Sequence, residues 1–147
     1  MDMRDYLELL ARCNDLRASE AQLIKVESIV DYFGEDKAFA IKHAIRPKMH
    51  ECYRNATLMA LNLECEYCEG LIGGLVPVDH AFVCYEGHYF DPTAEFVLGE
   101  DVRTKEYAIF RKWDYKEALD KMQGKGTYGG LIDDYVREKI DNEKEAC

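Results

Sequence analysis

Two short runs of alternating side chains, HAFVCY at 80–85 and HYFD at 88–91, flank Glu86-Gly87 and constrain the fold more than any other stretch. The pattern predicts a β-hairpin closed by a two-residue turn. A symmetric turn pairs Tyr85 with His88 and Phe82 with Asp91. Successive side chains alternate, so His80, Phe82 and Cys84 share one face and Asp91 joins them there. His80 becomes the diagonal neighbour of Asp91, with backbones roughly 7–8 Å apart and side chains within reach of each other. A three-residue turn puts Asp91 on the opposite face. Register alone therefore brings an imidazole to a carboxylate.

Upstream, residues 51–63 read as a helix. Cys52, Ala56, Met59 and Leu63 form one stripe with Leu58 and Leu61 beside it, which predicts burial along much of the girth. Cys52 opens this helix, where unpaired N–H groups and the helix dipole stabilise a thiolate and where the Cys52 N–H points toward a developing oxyanion. Cys52, then His80, then Asp91 is the set that a thiol nucleophile, its base and the base's orienting group require. Taken singly, each has a plainer reading. A cysteine on an apolar stripe fills a core, a histidine starting a strand is structural, and Asp-Pro forms turns. The conjunction carries the assignment.

The rest of the chain supplies packing elements. Residues 3–13 and 20–33 read as helices, the second with Leu23, Val26, Ile29, Val30 and Phe33 on one face, Ser19 and Gln22 as a capping box, and Gly34 at its end. Residues 36–45 form a third helix with Phe39, Ile41 and Ile45 on its apolar side, stopped by Arg46-Pro47. Residues 65–72 read as a strand ended by Gly73-Gly74, and 75–79 as a loop. A further strand spans 105–111, with Tyr107 and Ile109 on one face. Asp114 and Glu117 cap a helix through 122; 124–130 is a flexible loop; and a charged helix covers 131–143 before a solvated tail, DNEKEAC. The expectation is one α+β domain over 1–147: a helical part at 1–46, a core at 47–111 and C-terminal helices at 114–147.

The formal net charge of -10, from 29 acids against 19 bases, repels phosphate backbones and argues against nucleic-acid binding. The N-terminus carries acids rather than the bases of a secretory signal, and no stretch approaches the roughly 20 apolar residues of a membrane span. A cytoplasmic protein with no membrane partner is expected. Six cysteines (13, 52, 65, 68, 84 and 147) then stay reduced, each as core filler, metal ligand or nucleophile. Cys65-x-x-Cys68 offers half of a zinc site, with His80, Cys84 or His88 for the other half. Against it, no second Cys-x-x-Cys occurs, and a strand over 65–72 turns the two thiols to opposite faces.

Cys52 at a helix start, His80-Ala81-Phe82-Val83, and Gly87-His88-Tyr89-Phe90-Asp91-Pro92-Thr93 together resemble the transglutaminase-like core of the papain-type cysteine enzymes. That core reads Cys on a helix, His-Ala-Trp on one strand and Asp-Pro-Thr on the next. The resemblance covers about a third of the chain, residues 46–95. It implies a papain-like fold in which a small antiparallel sheet packs on a central helix carrying the cysteine. It also implies Cys52 as nucleophile, His80 as general base and acid, and Asp91 as orienting residue. Two departures stand out: Phe82 replaces the tryptophan, and Arg46 lies where papain-like enzymes carry an oxyanion-binding glutamine, which leaves Asn55 or His50 as side-chain donor.

The expected reaction is acyl transfer through an acyl-thioester on a peptide or other amide-containing substrate, with no cofactor. Hydrolysis makes the chain a peptidase, amidase or deamidase, and an amine acceptor makes it a transferase. Tyr67, Glu69 and Asp79 line the cleft or serve the structure. Two other readings stay open: a non-catalytic acidic interaction protein with a relic triad, and a zinc-stabilised module built on Cys65 and Cys68.

Overall fold

The computed structural model describes residues 1–146; Cys147, the last of the six cysteines, lies outside the described residues. In chain order the elements are α1 (Met3–Arg12), β1 (Gln22–Ile24), α2 (Ile29–Phe33), α3 (Glu35–Ile45), α4 (Cys52–Leu63), β2 (Glu66–Ile72), β3 (Val78–Tyr85), β4 (His88–Phe90), β5 (Tyr107–Asp114), α5 (Tyr115–Lys125) and α6 (Leu131–Ala146). The strands form one antiparallel sheet in the order β1-β5-β2-β3-β4. The fold is α+β. No helix among the described residues is long and apolar enough to cross a membrane.

The β3–β4 hairpin takes the expected register, with Tyr85 opposite His88, Cys84 opposite Tyr89 and Val83 opposite Phe90. Glu86 (φ 51°) and Gly87 (φ 84°) both adopt the left-handed conformation that a tight two-residue hairpin turn demands. Asp91 follows the last paired residue directly. On the other side of β3, Gly70 of β2 stands opposite His80. A Cβ at Gly70 would lie 2.0 Å from the Ala108 carbonyl oxygen, so only glycine lets β5 approach this closely.

A bulge follows from the same contact. The β2–β5 register slips between Glu69 and Gly70, leaving Phe110 as the extra residue of β5. Before the slip Ala108 faces the major core; after it, Trp113 does, and its ring meets Tyr67 at 6.0 Å. One inserted residue thus reverses the alternation and puts a large aromatic under the helices.

Alternation gives the sheet two apolar faces. Tyr67, Leu71, Ala81, Val83, Ala108 and Phe110 pack against α4 and its neighbours in the major core. Cys68, Phe82, Cys84, Tyr107 and Ile109 form a smaller cluster closed by Val26, Ala94 and Val102. Ala56 and Met59 of the predicted stripe are buried, as is Ala60, but Cys52 and Leu63 are only half-buried and Leu61, expected beside the stripe, is 43% exposed; α4 packs chiefly on β3.

The expected helix over 20–33 is the main correction. Residues 22–24 instead form edge strand β1 on β5, and Val26 bridges to Tyr89. The α-helical part is 29–33, Glu20 ending a short 3-10 helix over Leu16–Glu20; the 29–33 helix is capped by Ser28, whose hydroxyl accepts from the Asp31 N–H, and by Glu95, whose carboxylate accepts from the Ile29 and Val30 N–H groups. The Ser19 hydroxyl donates to the Leu16 carbonyl and caps nothing here. Apolar residues at helical spacing were shared between two short elements, and strand pairing across the chain decided the matter. Phe39 is likewise not on the buried side of α3; it is 71% exposed, while Ala38, Ile41 and Ile45 face the core.

At the other end, β5 runs on to Asp114, which caps α5 by accepting from the Lys116 N–H. Residues 124 and 125 finish α5 rather than start a loop, and α6 continues through the predicted tail to residue 146.

Candidate active site

Cys52 occupies the first position of α4. Glu51 precedes it without capping the helix by its side chain, so the first-turn N–H groups have no side-chain acceptor there. The thiol is free and partly buried. Its sulfur lies close enough to the His80 imidazole, at the beginning of β3, to favour the ring's protonated form. The helix supplies the donors, and the hairpin supplies the ring.

His80 Nε2 lies 2.7 Å from Asp91 Oδ2, and both residues are buried. With Nε2 committed to Asp91, Nδ1 is the ring nitrogen that remains. Burial works against an imidazolium here, but the adjacent Asp91 carboxylate, its hydrogen bond, and the Cys52 sulfur outweigh it, and the His80 pKa rises from 6.5 to about 10. The ring is held in its protonated form at neutral pH.

Asp91 is wholly buried and accepts two further hydrogen bonds. The Tyr107 hydroxyl donates to Oδ2 at 2.6 Å and the Ala94 N–H donates to Oδ1 at 3.1 Å. The second closes the turn after Asp91-Pro92, where residues 93–97 wind into a single wide helical turn. Burial next to Asp91 pushes the Tyr107 phenol far above its ordinary range, so it serves only as a donor. Tyr107 is a site residue that the sequence showed only as one member of a strand face; its partner lies sixteen residues away.

The two oxyanion candidates separate. Asn55 is fully buried and fully used: its Nδ2 donates to the Lys48 carbonyl (2.8 Å) and the Thr93 hydroxyl (2.9 Å), and its Oδ1 accepts from the Lys48 N–H (2.9 Å). Both amide protons are committed, so Asn55 ties the 46–51 loop and the Asp91-Pro92-Thr93 segment to the first turn of α4 instead of facing a substrate. His50 stays exposed in the turn before Cys52, with φ 62°. Arg46 terminates α3 in a left-handed conformation, and its carbonyl accepts from Arg54.

The neighbouring candidates are structural. Glu69 accepts from the Tyr67 hydroxyl (2.5 Å) and from the N–H groups of Leu131 (3.1 Å) and Ile132 (3.0 Å), capping α6 from within the sheet. Asp79 is exposed and pairs with Arg17 at 2.9 Å. The loop after α5 also gains a role: a Cβ at Gly129 would strike the Tyr53 ring at 2.3 Å, so this glycine (φ 78°) lets the backbone close over the residue beside Cys52.

The zinc half-site is not formed. Cys65 belongs to the major core and Cys68 to the smaller cluster across the sheet, and among the described residues no group of three or more His, Cys, Asp or Glu side chains could hold a metal ion. Burial pushes the Cys65 thiol up to about 12, the Cys68 thiol well above its ordinary value, and the Cys84 thiol upward, so all three resist ionisation. Cys52 alone among the described thiols adjoins an imidazolium and a helix N-terminus. Comparison with known proteins adds no relative: no family model matches the chain, and neither curated proteins nor solved structures give a match.

Proposed function

We propose that this chain is a cysteine-dependent acyl-transfer enzyme with a papain-like, transglutaminase-type core. The observation that carries the reading is His80, bound through Nε2 to buried Asp91 and near the sulfur of Cys52, which opens an uncapped helix start. An imidazolium beside a thiol favours the thiolate, the form that attacks carbonyls.

In the proposed cycle the Cys52 thiolate attacks an amide carbonyl carbon, and the carbonyl electron pair moves onto oxygen. The Cys52 N–H receives that oxyanion, with His50 the remaining side-chain candidate. His80 delivers its proton to the leaving nitrogen as the C–N bond breaks, leaving an acyl-thioester and a neutral imidazole. The imidazole then takes a proton from water or an amine as that nucleophile attacks, and collapse returns the Cys52 thiolate and the His80 imidazolium. Asp91 keeps the ring oriented throughout, and Tyr107 and Ala94 keep Asp91 in place. Protons and electrons balance without a cofactor. Peptides and other amide-bearing molecules are the substrate class, with hydrolysis and transfer differing only in the second nucleophile.

The test is site-resolved iodoacetamide labelling by mass spectrometry at pH 6. Cys52 is expected to label more than about tenfold faster than exposed Cys13, because an ordinary thiol is almost wholly protonated there. His80→Ala should abolish that advantage while the fold persists. Equal rates at Cys52 and Cys13 would overturn the proposal.

A further inference from the structure

The face of α3 that turns away from the core carries Phe39, Lys42 and His43 as neighbours on one helical stripe, and Arg46 follows at the helix's C-cap. With Phe96 and Val97 from the turn after Asp91, they line an open cavity of about 540 Å³, within the range of ligand sites. Two features set this cavity apart. No acid lines it, although acids outnumber bases 29 to 19 in the chain. Its outer aromatic wall is also left in water: Phe39 is 71% exposed, with the His43 ring stacked on it at 6.2 Å.

The cations here are uncommitted. Arg17, Arg103, Lys105 and Lys125 hold carboxylates. Lys42 and Arg46 form no ion pair among the described residues; the Lys42 ammonium instead lies 5.9 Å above the Phe96 ring. The site is also built in advance. Arg46 is fixed in a left-handed conformation with its carbonyl bound by Arg54, and Pro47 stiffens the chain after it.

We infer that this cavity binds an acidic peptide segment, an aromatic side chain packing against Phe39 and Phe96 while flanking carboxylates meet Lys42 and Arg46. Aromatic walls take a flat ring by offset or edge contact, and the guanidinium takes a carboxylate by paired hydrogen bonds. A lipid surface fits less well, because the rings form the walls of a hollow rather than a flat apolar face. The inference needs no thiol chemistry and stands apart from the acyl-transfer reading.

It is tested by amide chemical-shift titration of the full chain with the blocked tripeptide Glu-Phe-Glu. Saturable shifts are expected at residues 39–47 and 96–97. Binding should weaken by about fivefold or more for Gln-Phe-Gln, for Glu-Ala-Glu, and on moving from low to roughly 0.3 M salt, where exposed charges are screened. Lys42→Glu and Phe39→Ala, both at the helix surface, should each remove most of the affinity. Equal binding of the neutral peptide, shifts centred elsewhere, no saturable shifts, or engagement of these residues by phosphatidylserine vesicles but not by the peptide would each overturn it.

Discussion

Asp91, just past the end of β4, and Glu69, within β2, are buried carboxylates, and each accepts three hydrogen bonds, one of them from a tyrosine. Their other donors differ. Glu69 takes two N–H groups from the first turn of α6, so its role is to pin a helix to the sheet. Asp91 takes an N–H from its own turn and one nitrogen of His80, a ring whose protonated form the nearby Cys52 sulfur also favours. Saturated hydrogen bonding in a buried acid is therefore no sign of chemistry. The sign is an ionisable partner that is itself turned toward a nucleophile.

Matched amide substitutions give the largest contrast. Asp91→Asn keeps the shape but removes the charge that holds the His80 proton, so Cys52 alkylation at pH 6 is expected to fall by about 10²-fold or more. Glu69→Gln sets an amide N–H against donors at the start of α6 and should cost about 1–3 kcal/mol in urea unfolding, with Cys52 reactivity unchanged. If Glu69→Gln slows alkylation as much as Asp91→Asn, the contrast fails.

A pH titration sharpens the same comparison. The folded-state pKa of His80 lies near 10, above its ordinary 6.5, so the folded protein keeps a proton that the unfolded chain releases. That stability is complete below pH 6.5 and is lost as pH rises through about 10. Burial, offset in part by its donors, raises Glu69 above 4.5, so its contribution is complete below pH 4.5 and declines as pH climbs through its folded value. Stability measured from pH 4 to 10.5 should thus fall in two windows. Glu69→Gln is expected to flatten the acidic one and Asp91→Asn the alkaline one. The proposed acyl transfer, which would need the His80 proton, should decline near pH 10 in the parent and at lower pH in Asp91→Asn, while alkylation of the thiolate persists. An alkaline limb indifferent to Asp91→Asn would detach the carboxylate from the ring.

The hairpin was legible because its determinants are local: a two-residue turn and strict alternation fix Tyr85 opposite His88, and His80 near Asp91 follows. The Cys52 helix was legible from its own periodicity. What escaped depends on pairing between distant segments. Leu23 was assigned to a helix because nothing nearby shows that Ala108 will pair with it. Glu69 and Glu95 cap helices more than sixty residues away, beyond any local capping pattern. Asn55 stood open beside His50 for a different reason: position suggested a donor to substrate, while its hydrogen bonds go to Lys48 and to Thr93, thirty-eight residues on.

The smallest expected effect is the most discriminating, because it deletes one hydroxyl on each side of the comparison. Tyr67→Phe removes the donor to Glu69 and keeps the ring that packs on Trp113. It should cost about 1 kcal/mol of stability and leave Cys52 untouched. Tyr107→Phe removes the donor to Asp91 and keeps the ring that packs on Phe82. Its stability cost should be similar, but Asp91, left with one side-chain partner, holds the imidazole less firmly, and Cys52 acylation by a thioester should slow by about 3–10-fold. A purely structural Tyr107 predicts equal effects from the two substitutions, on stability alone. A rate loss confined to Tyr107→Phe assigns its hydroxyl to positioning the base.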